Sequence, residues 1–368
     1  MMKRVIIWCL MCLTMGIGYL KDAHSESVSS GKITITDGAG RIVEISGEAK
    51  RIVCLGPGAL RLISYLDAVD RVVGVEDMEK RAAGGRPYWL AHPELASLPS
   101  IGPGGPESIN KKPNLEALLR VSPDVIFITY MEKSLAEDVQ KAINIPVVVL
   151  SYGRFATFDE TLYESLRTAA KVLGKENRAE ALINFIEGIR HDLNNRTEDI
   201  PKEKKPRVYV GGIGYRGAHG IESTEQHYLP LDWTNSINLA NEISAKIGSH
   251  VFSDKEVILK LNPDVIFIDG GGLELIRQDY LKKSDFYKNL KSFQDGSVYL
   301  LFPFNYYATN VETVIVDSYV VGKVLYPDRF QDVEIDAKAR EIYKFFLGKD
   351  VYDSMKNLYG KPGEKVTF

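Results

Sequence analysis

A chain of 368 residues is long for one domain and fits two of about 120 to 180 residues, each able to bury its own core. Its 46 Lys and Arg against 49 Asp and Glu give a net charge of −3. The signs are mixed and no Lys/Arg block occurs, which excludes a surface built to track a nucleic-acid backbone.

The chain opens with Lys3 and Arg4 followed by the apolar stretch Val5 to Leu20, and Ala23-His24-Ser25 puts small residues at the −3 and −1 positions of a cleavage site. Residues 1–25 therefore read as a secretory signal peptide. A membrane anchor needs about 18 to 20 apolar residues, and this stretch is shorter and carries Thr14, Gly16 and Gly18. Cys9 and Cys12 follow Trp8 and Met11 rather than a small residue, which speaks against a lipid-anchored cysteine. Cys54 alone is left in the mature chain, inside the apolar run Arg51 to Leu55. It reads as a buried small hydrophobe, and neither a disulfide nor a cysteine metal cluster can form from it.

Residues 33–46 alternate in polarity around Asp37-Gly38-Ala39-Gly40, which predicts a hairpin with a Gly-rich turn. Ile52 to Leu55 is a strand running through Gly56-Pro57-Gly58 into a helix from Ala59 to Leu66, and Val72 to Val75 reads as a second strand. The most telling pattern then occurs twice. Asn114 to Ile128 and Asp254 to Ile268, 140 positions apart, share eight of fifteen residues, including Pro123-Asp124-Val125-Ile126-Phe127-Ile128 and its copy from Pro263 to Ile268. Each copy is an amphipathic helix (Leu115, Leu118, Leu119; Val257, Ile258, Leu259) stopped by proline. An unbroken apolar strand follows, of the kind buried on both faces in a parallel sheet. An αβ unit repeated in two halves predicts two α/β lobes with a ligand cleft between them.

Between the copies, after a further strand at Pro146 to Leu150, residues Phe158 to Arg196 have helical period and break only at Gly174-Lys175. The expected organisation is a first lobe over 26–156, a stiff helical linker over 157–200 and a second lobe over 201–368. That lobe has strands at Arg207 to Val210 and Val298 to Phe302, a helix at Val311 to Leu325, and surface helices at Ile335 to Leu347 and Val351 to Leu358.

Gly212-Ile213-Gly214-Tyr215-Arg216-Gly217 matches GxGxxG after a strand, but Ala218 to Ser223 has no helical period, so a ligand-facing loop is expected rather than a dinucleotide site. The chain contains no GxxxxGK[ST], GxSxG, HxxxH or HExxH, which leaves no P-loop, serine nucleophile or hydrolytic zinc motif. His219 and His227 are the candidate metal pair. Aromatic and basic residues gather in loops where strands should end: Arg86, Tyr88 and Trp89; Tyr130; Arg154; Tyr215, Arg216 and His219; Tyr306 and Tyr307. Arg recognises carboxylate-type anions through a planar fork and Tyr adds a flat face with a hydroxyl, so the set suits a large, partly anionic, partly aromatic ligand. Glu116 and Glu256 occupy equivalent exposed helix positions in the two copies, a symmetric pair suited to a two-fold symmetric partner.

These features together resemble the periplasmic substrate-binding proteins of ABC importers for ferric siderophores, haem and cobalamin. They are Arg51 to Leu55, Val72 to Val75, Asn114-Leu115-Glu116 leading to Ser122-Pro123-Asp124, the 158–196 helices, and Asn262-Pro263-Asp264. The resemblance implies two Rossmann-like lobes with parallel sheets joined by a long rigid α-helix. It implies ligand capture in the cleft by the aromatic and Arg residues named above, slight lobe closure, and docking through Glu116 and Glu256 onto a permease dimer served by a separate ATPase subunit. The expected protein is a periplasmic monomer without enzyme activity, cofactor or nucleic-acid partner. Its expected cargo is an iron chelate, with haem or a corrinoid as alternative, in which case His219, His227 or a Tyr could reach the metal. A chelatase-like enzyme on the same scaffold would want a His/Glu pair facing the cleft, and a bare-ion carrier would want three or four converging His, Asp or Glu. Two positions depart from the family pattern. Leu60-Arg61 replace a Ser/Thr-Glu pair after the first strand, and residues 301–312 offer Asn305, Tyr306, Tyr307 and Asn310 where an arginine is usual.

Overall fold

A computed structural model of the chain describes residues 31–81, 84–153, 158–244 and 250–368. The signal peptide over residues 1–25 and the ligand candidate Arg154 lie outside them.

The predicted hairpin forms from β1 (Lys32–Thr36) and β2 (Ile42–Ser46), paired antiparallel with Thr36 opposite Ile42. Its turn is organised by Asp37, whose carboxylate accepts from the backbone N–H of Ala39 and Arg41 and from the Arg41 guanidinium. Asp37 also accepts from the N–H of Val149, which docks the hairpin on the first sheet. That sheet is parallel, in the order β3 (Ile52–Leu55), β4 (Val125–Thr129), β5 (Val147–Leu150). Every strand residue in it is buried, as an apolar run without alternation requires. Val72 to Val75 corrects the sequence reading: it makes only single bridges, Ile52 to Val72 and Val75 to Ser100. The segment changes partner halfway along, so neither side builds a ladder. Around the sheet lie α1 (Ala59–Tyr65), α2 (Pro87–Ala91), α3 (Leu115–Val121) and α4 (Lys133–Ile143).

The linker is two helices, α5 (Thr161–Leu173) and α6 (Glu176–Thr197), turned at Gly174 in the left-handed region with φ 62. Glycine adopts that conformation at no steric cost. α5 packs on β1 and β5. The 22 residues of α6 give a rod of about 33 Å that reaches the second lobe.

There the chain forms β6 (Arg207–Gly211), β7 (Ser223–Glu225), α7 (Leu229–Trp233), β8 (Ile237–Asn238), β9 (His250–Phe252), α8 (Lys255–Leu261) and β10 (Val265–Asp269). It continues through α9 (Leu273–Lys282), α10 (Ser284–Lys288), α11 (Lys291–Gln294) and β11 (Val298–Leu301) to α12 (Val311–Leu325), α13 (Ile335–Leu347) and α14 (Tyr352–Tyr359). The second sheet is parallel, in the order β11-β10-β6-β8, and β7 and β9 form a separate antiparallel ribbon.

The sequence repeat is a structural one, α3–β4 in one lobe and α8–β10 in the other. Ser122 and Asn262 end the two helices in the left-handed region, with φ 46 and 42. The repeated aspartates hold the neighbouring strand: Asp124 accepts from the N–H of Lys50 and Arg51, both at 2.8 Å, and Asp264 from that of Arg207 at 3.0 Å. The buried helix faces are Leu118 with Val121 and Ile258 with Leu261. Leu119 and Val257, assigned above to those faces, are 49% and 37% exposed.

α13 is not a surface helix. It buries Ala339, Ile342, Tyr343, Phe346 and Leu347 and packs on α12 and also on α1 and α2 of the first lobe. Phe345 stacks on Phe185 of α6 at 4.0 Å. One apolar cluster consequently runs from Ile35 through α1, α6, α12 and α13 to Met355, so the two lobes share a core.

Candidate ligand cleft

In parallel α/β sheets ligands bind beyond the carboxyl ends of the strands. Here those ends face each other, because α1, which follows β3, reaches the loop that follows β11. Arg61 of α1, fully buried, donates from Nε to Asn310 Oδ1 at 2.8 Å, from Nη1 to the Thr309 carbonyl at 3.2 Å and from Nη2 to the Tyr306 carbonyl at 2.8 Å. Two tyrosine–carboxyl bonds cross beside it in opposite directions. Tyr307 Oη of the second lobe donates to Glu76 Oε2 of the first at 2.6 Å, and Tyr65 Oη of the first donates to Glu312 Oε2 of the second. Burial raises both carboxyls, Glu76 to about 7 and Glu312 to about 6, because a charge removed from water is disfavoured more than its hydrogen bonds compensate.

The residues singled out from sequence divide into two groups. Arg86, Tyr88, Trp89 and Tyr307 are buried. Arg86 pairs with Glu79 at 2.8 Å and donates to the carbonyls of Met78, Glu79 and Arg81. Its guanidinium lies 5.4 Å from the Trp89 ring and 5.2 Å from that of Tyr306. Tyr88 donates to Glu79 at 2.6 Å. Trp89 is 6% exposed and Tyr307 9%. Their polar atoms are engaged by Glu79, Glu76 and backbone carbonyls.

The others that are described sit half-buried or exposed in the loops after the strands. Tyr130, with φ 57, is half-buried, and burial raises its hydroxyl. Tyr306 is half-buried and packs over Gly85, whose own φ is 72. Tyr215 is 36% exposed and lies 6.0 Å from the exposed Arg216 guanidinium. His219 donates from its Nε2–H to the Tyr215 carbonyl, 2.7 Å away. Tyr215 also stacks on His250 at 4.4 Å, and Phe252, 55% exposed, contacts both His219 and His250. Sequence reading missed this ring group because His250 and Phe252 lie on a three-residue strand without a motif. Burial, then the neighbouring His219, lowers His250 to about 4.

His219 and His227 keep different company, His227 lying 3.8 Å from Asp232. Among the described residues no three His, Cys, Asp or Glu gather to hold a metal ion. At the tips of β3 and β4 a cavity of about 330 Å3 opens under the 102–114 loop, with Glu76 and Thr129 in its lining and Lys111 and Lys112 beside them. Under the second lobe's strand tips, burial raises Asp269 to about 7 and Asp317 well above the carboxylate range.

Glu116 and Glu256 stand exposed on the first turns of α3 and α8. No salt bridge engages either among the described residues. No helix of the described residues is long and apolar enough to cross a membrane.

The family model described as periplasmic binding protein matches residues 52–303. The chain is 26% identical over 364 residues to the molybdate-binding protein MolA of Haemophilus influenzae, covering 94% of this chain and 96% of MolA. To the uncharacterized ABC transporter substrate-binding lipoprotein YvrC of Bacillus subtilis it is 22% identical, over 90% of this chain and all of YvrC. The solved structure of MolA bound to molybdate superposes with a TM-score of 0.67 at 24% identity, over 86% of this chain and 98% of that one. A periplasmic solute binding protein from Veillonella parvula gives 0.69 at 21% identity, over 89% and 97%. The chain belongs to the periplasmic binding protein family, the capture component of an ABC importer, and is a binding protein rather than an enzyme.

Proposed function

We propose that the chain captures a compact metal oxyanion of the molybdate class between its lobes and hands it to a membrane permease. The observation that carries this reading is the commitment of Arg86, Tyr88 and Tyr307 to buried bonds. With those side chains sealed inside, they are withdrawn from the broad apolar face that a haem or corrinoid stacks on, and among the described residues the exposed rings left are those of the Tyr215, His250 and Phe252 group. What the surrounding loops offer is a set of hydrogen-bond donors: the hydroxyls of Tyr215 and Tyr306, the Asn305 amide and the Arg216 guanidinium. Such a set suits a small, densely charged anion. The similarity to MolA over nearly the whole of both chains supports the same class.

A compact ferric chelate is the second reading, favoured by the exposed Tyr215 ring beside Arg216, which offers stacking and charge together. In both readings Glu116 and Glu256 dock on the two permease subunits, an ATPase on the far side drives release, and the protein is exported with residues 1–25 removed. Calorimetric titration of residues 26–368 with molybdate, tungstate, sulfate, ferric siderophores and haem tests it. Saturable one-to-one binding of molybdate and tungstate is expected, and tight binding of haem with no response to the oxyanions overturns it.

A further inference from the structure

The loop after β11, residues 303–310, belongs to the second lobe by sequence, yet the first lobe holds much of it. The Arg61 guanidinium takes three of its acceptors, the Tyr306 carbonyl, the Thr309 carbonyl and Asn310 Oδ1. Asn310 Nδ2 donates to the Gly85 carbonyl at 2.7 Å. Tyr307 Oη donates to Glu76 and accepts from the Gly105 N–H at 2.9 Å. Arg86 lies over the Tyr306 ring, and the Val311 N–H at the loop's end donates to Tyr65 Oη at 3.1 Å. Within its own lobe the loop has the Asn310 bonds to the Phe304 carbonyl, the Thr313 and Val314 N–H groups donating to the Asn310 carbonyl, an Asn305–Thr309 bridge with its side-chain bond, and the Phe304 ring 5.1 Å from that of Tyr228.

The loop needs this support. Tyr307 and Ala308 are consecutive non-glycine residues in the left-handed region, with φ 52 and 69, a conformation that persists only where surrounding contacts impose it. Arg61 is placed to impose it. It sits in the first turn of α1, its charge is fully buried, and a planar fork can hold three acceptors in one fixed geometry where an ammonium cannot. Parting the lobes would strip the guanidinium and the loop of these bonds at once.

We propose that Arg61 is a positioning residue for ligand capture: from the first lobe it holds the second lobe's 303–310 loop in the strained form that presents Asn305 and Tyr306 to the cleft. The ligand wall is therefore assembled only while the lobes are apposed, and lobe separation both opens the cleft and dissolves one of its walls. This rests on the cleft being the ligand site, whichever anion fills it.

Hydrogen exchange on residues 26–368 of the wild type, Arg61→Lys and Asn310→Ala tests the inference without any ligand. Both variants should melt as cooperatively as the wild type. Exchange of the 304–310 amides should rise at least tenfold, while that of β6 and β10 stays unchanged. Adding Ala308→Gly to Arg61→Lys should restore part of the protection, because glycine holds the left-handed form without the guanidinium's help. Unchanged exchange at 304–310 in both variants overturns the proposal, and so does an even rise across the second lobe, which would make Arg61 a general stabiliser. Calorimetry with molybdate on the same proteins separates the two claims. A loop that loosens in a protein whose wild type ignores molybdate refutes the proposed ligand and leaves the positioning role standing. Wild-type binding of molybdate with an unchanged loop refutes the positioning role alone.

Discussion

Tyr307 of the second lobe donates its hydroxyl to Glu76 of the first at 2.6 Å across a sequence separation of 231 residues, and Tyr65 returns the same bond to Glu312 across 247. The lobes are thus clasped by two buried carboxyls that face different neighbours. Around Glu76 stand Tyr307, Glu79, Asp77 and the Gly56 N–H. Around Glu312 stand Arg61 and Tyr65.

The clasp makes stability depend on pH. Both carboxyls have folded pKa values raised above the ordinary 4.5, Glu76 to about 7 and Glu312 to about 6. Their contribution is therefore fully present below pH 4.5 and is lost as pH rises through 6 to 7, the reverse of a salt-bridged carboxylate. Buried Asp269, raised to about 7, adds to the same slope. The melting temperature is expected to fall between pH 5 and 8. Glu76→Gln, which keeps an acceptor for Tyr307, should flatten the fall by an amount of order 2 to 3 kcal/mol at pH 8. Thermal melts across that range, wild type against variant, check it.

The exposed glutamates should act on delivery alone. Glu116→Ala and Glu256→Ala are expected to change folding stability by less than about 0.5 kcal/mol and to leave ligand affinity unaltered. Uptake by cells or proteoliposomes carrying the cognate permease should drop about tenfold for each, the loss of about 1.4 kcal/mol of docking energy. Loss of ligand affinity in either variant would refute the docking assignment.

The repeated aspartates should differ in weight. Asp124 accepts two backbone N–H groups and Asp264 one. At about 1 kcal/mol for each net hydrogen bond, Asp124→Ala should destabilise by about 2 kcal/mol and Asp264→Ala by about 1. Urea unfolding measures both.

Gly322→Ala in α12 should destabilise, although alanine is the better helix former. The added methyl would meet the fully buried Phe330 ring. Overpacking of about 1 to 3 kcal/mol outweighs a propensity gain of about 1 kcal/mol. A higher melting temperature for this variant would show that Phe330 yields easily.

Much of the architecture was legible because it is local or repeated. The Asp37 to Gly40 turn, the α3–β4 and α8–β10 units and the break at Gly174 each write their geometry within a few residues. The clasp was not legible, since Glu76 and Tyr307 meet only through tertiary folding and neither sits in a motif. Val72 to Val75 has strand composition but changes partner midway, and α13 looks amphipathic while its apolar side returns to the first lobe. Arg86, Tyr88 and Tyr307 carry the chemistry of ligand contacts, and only their burial against Glu79 and Glu76 reveals them as wall.

A compact oxyanion held between the lobes would scatter anomalously if it carries molybdenum. A crystal of residues 26–368 soaked in molybdate, with data collected at the molybdenum edge, tests it directly. One anomalous peak is expected in the cleft, within hydrogen-bond reach of Tyr130, Tyr306 or Arg216. A cleft without that peak, in crystals that instead take up haem between the same lobes, would contradict it.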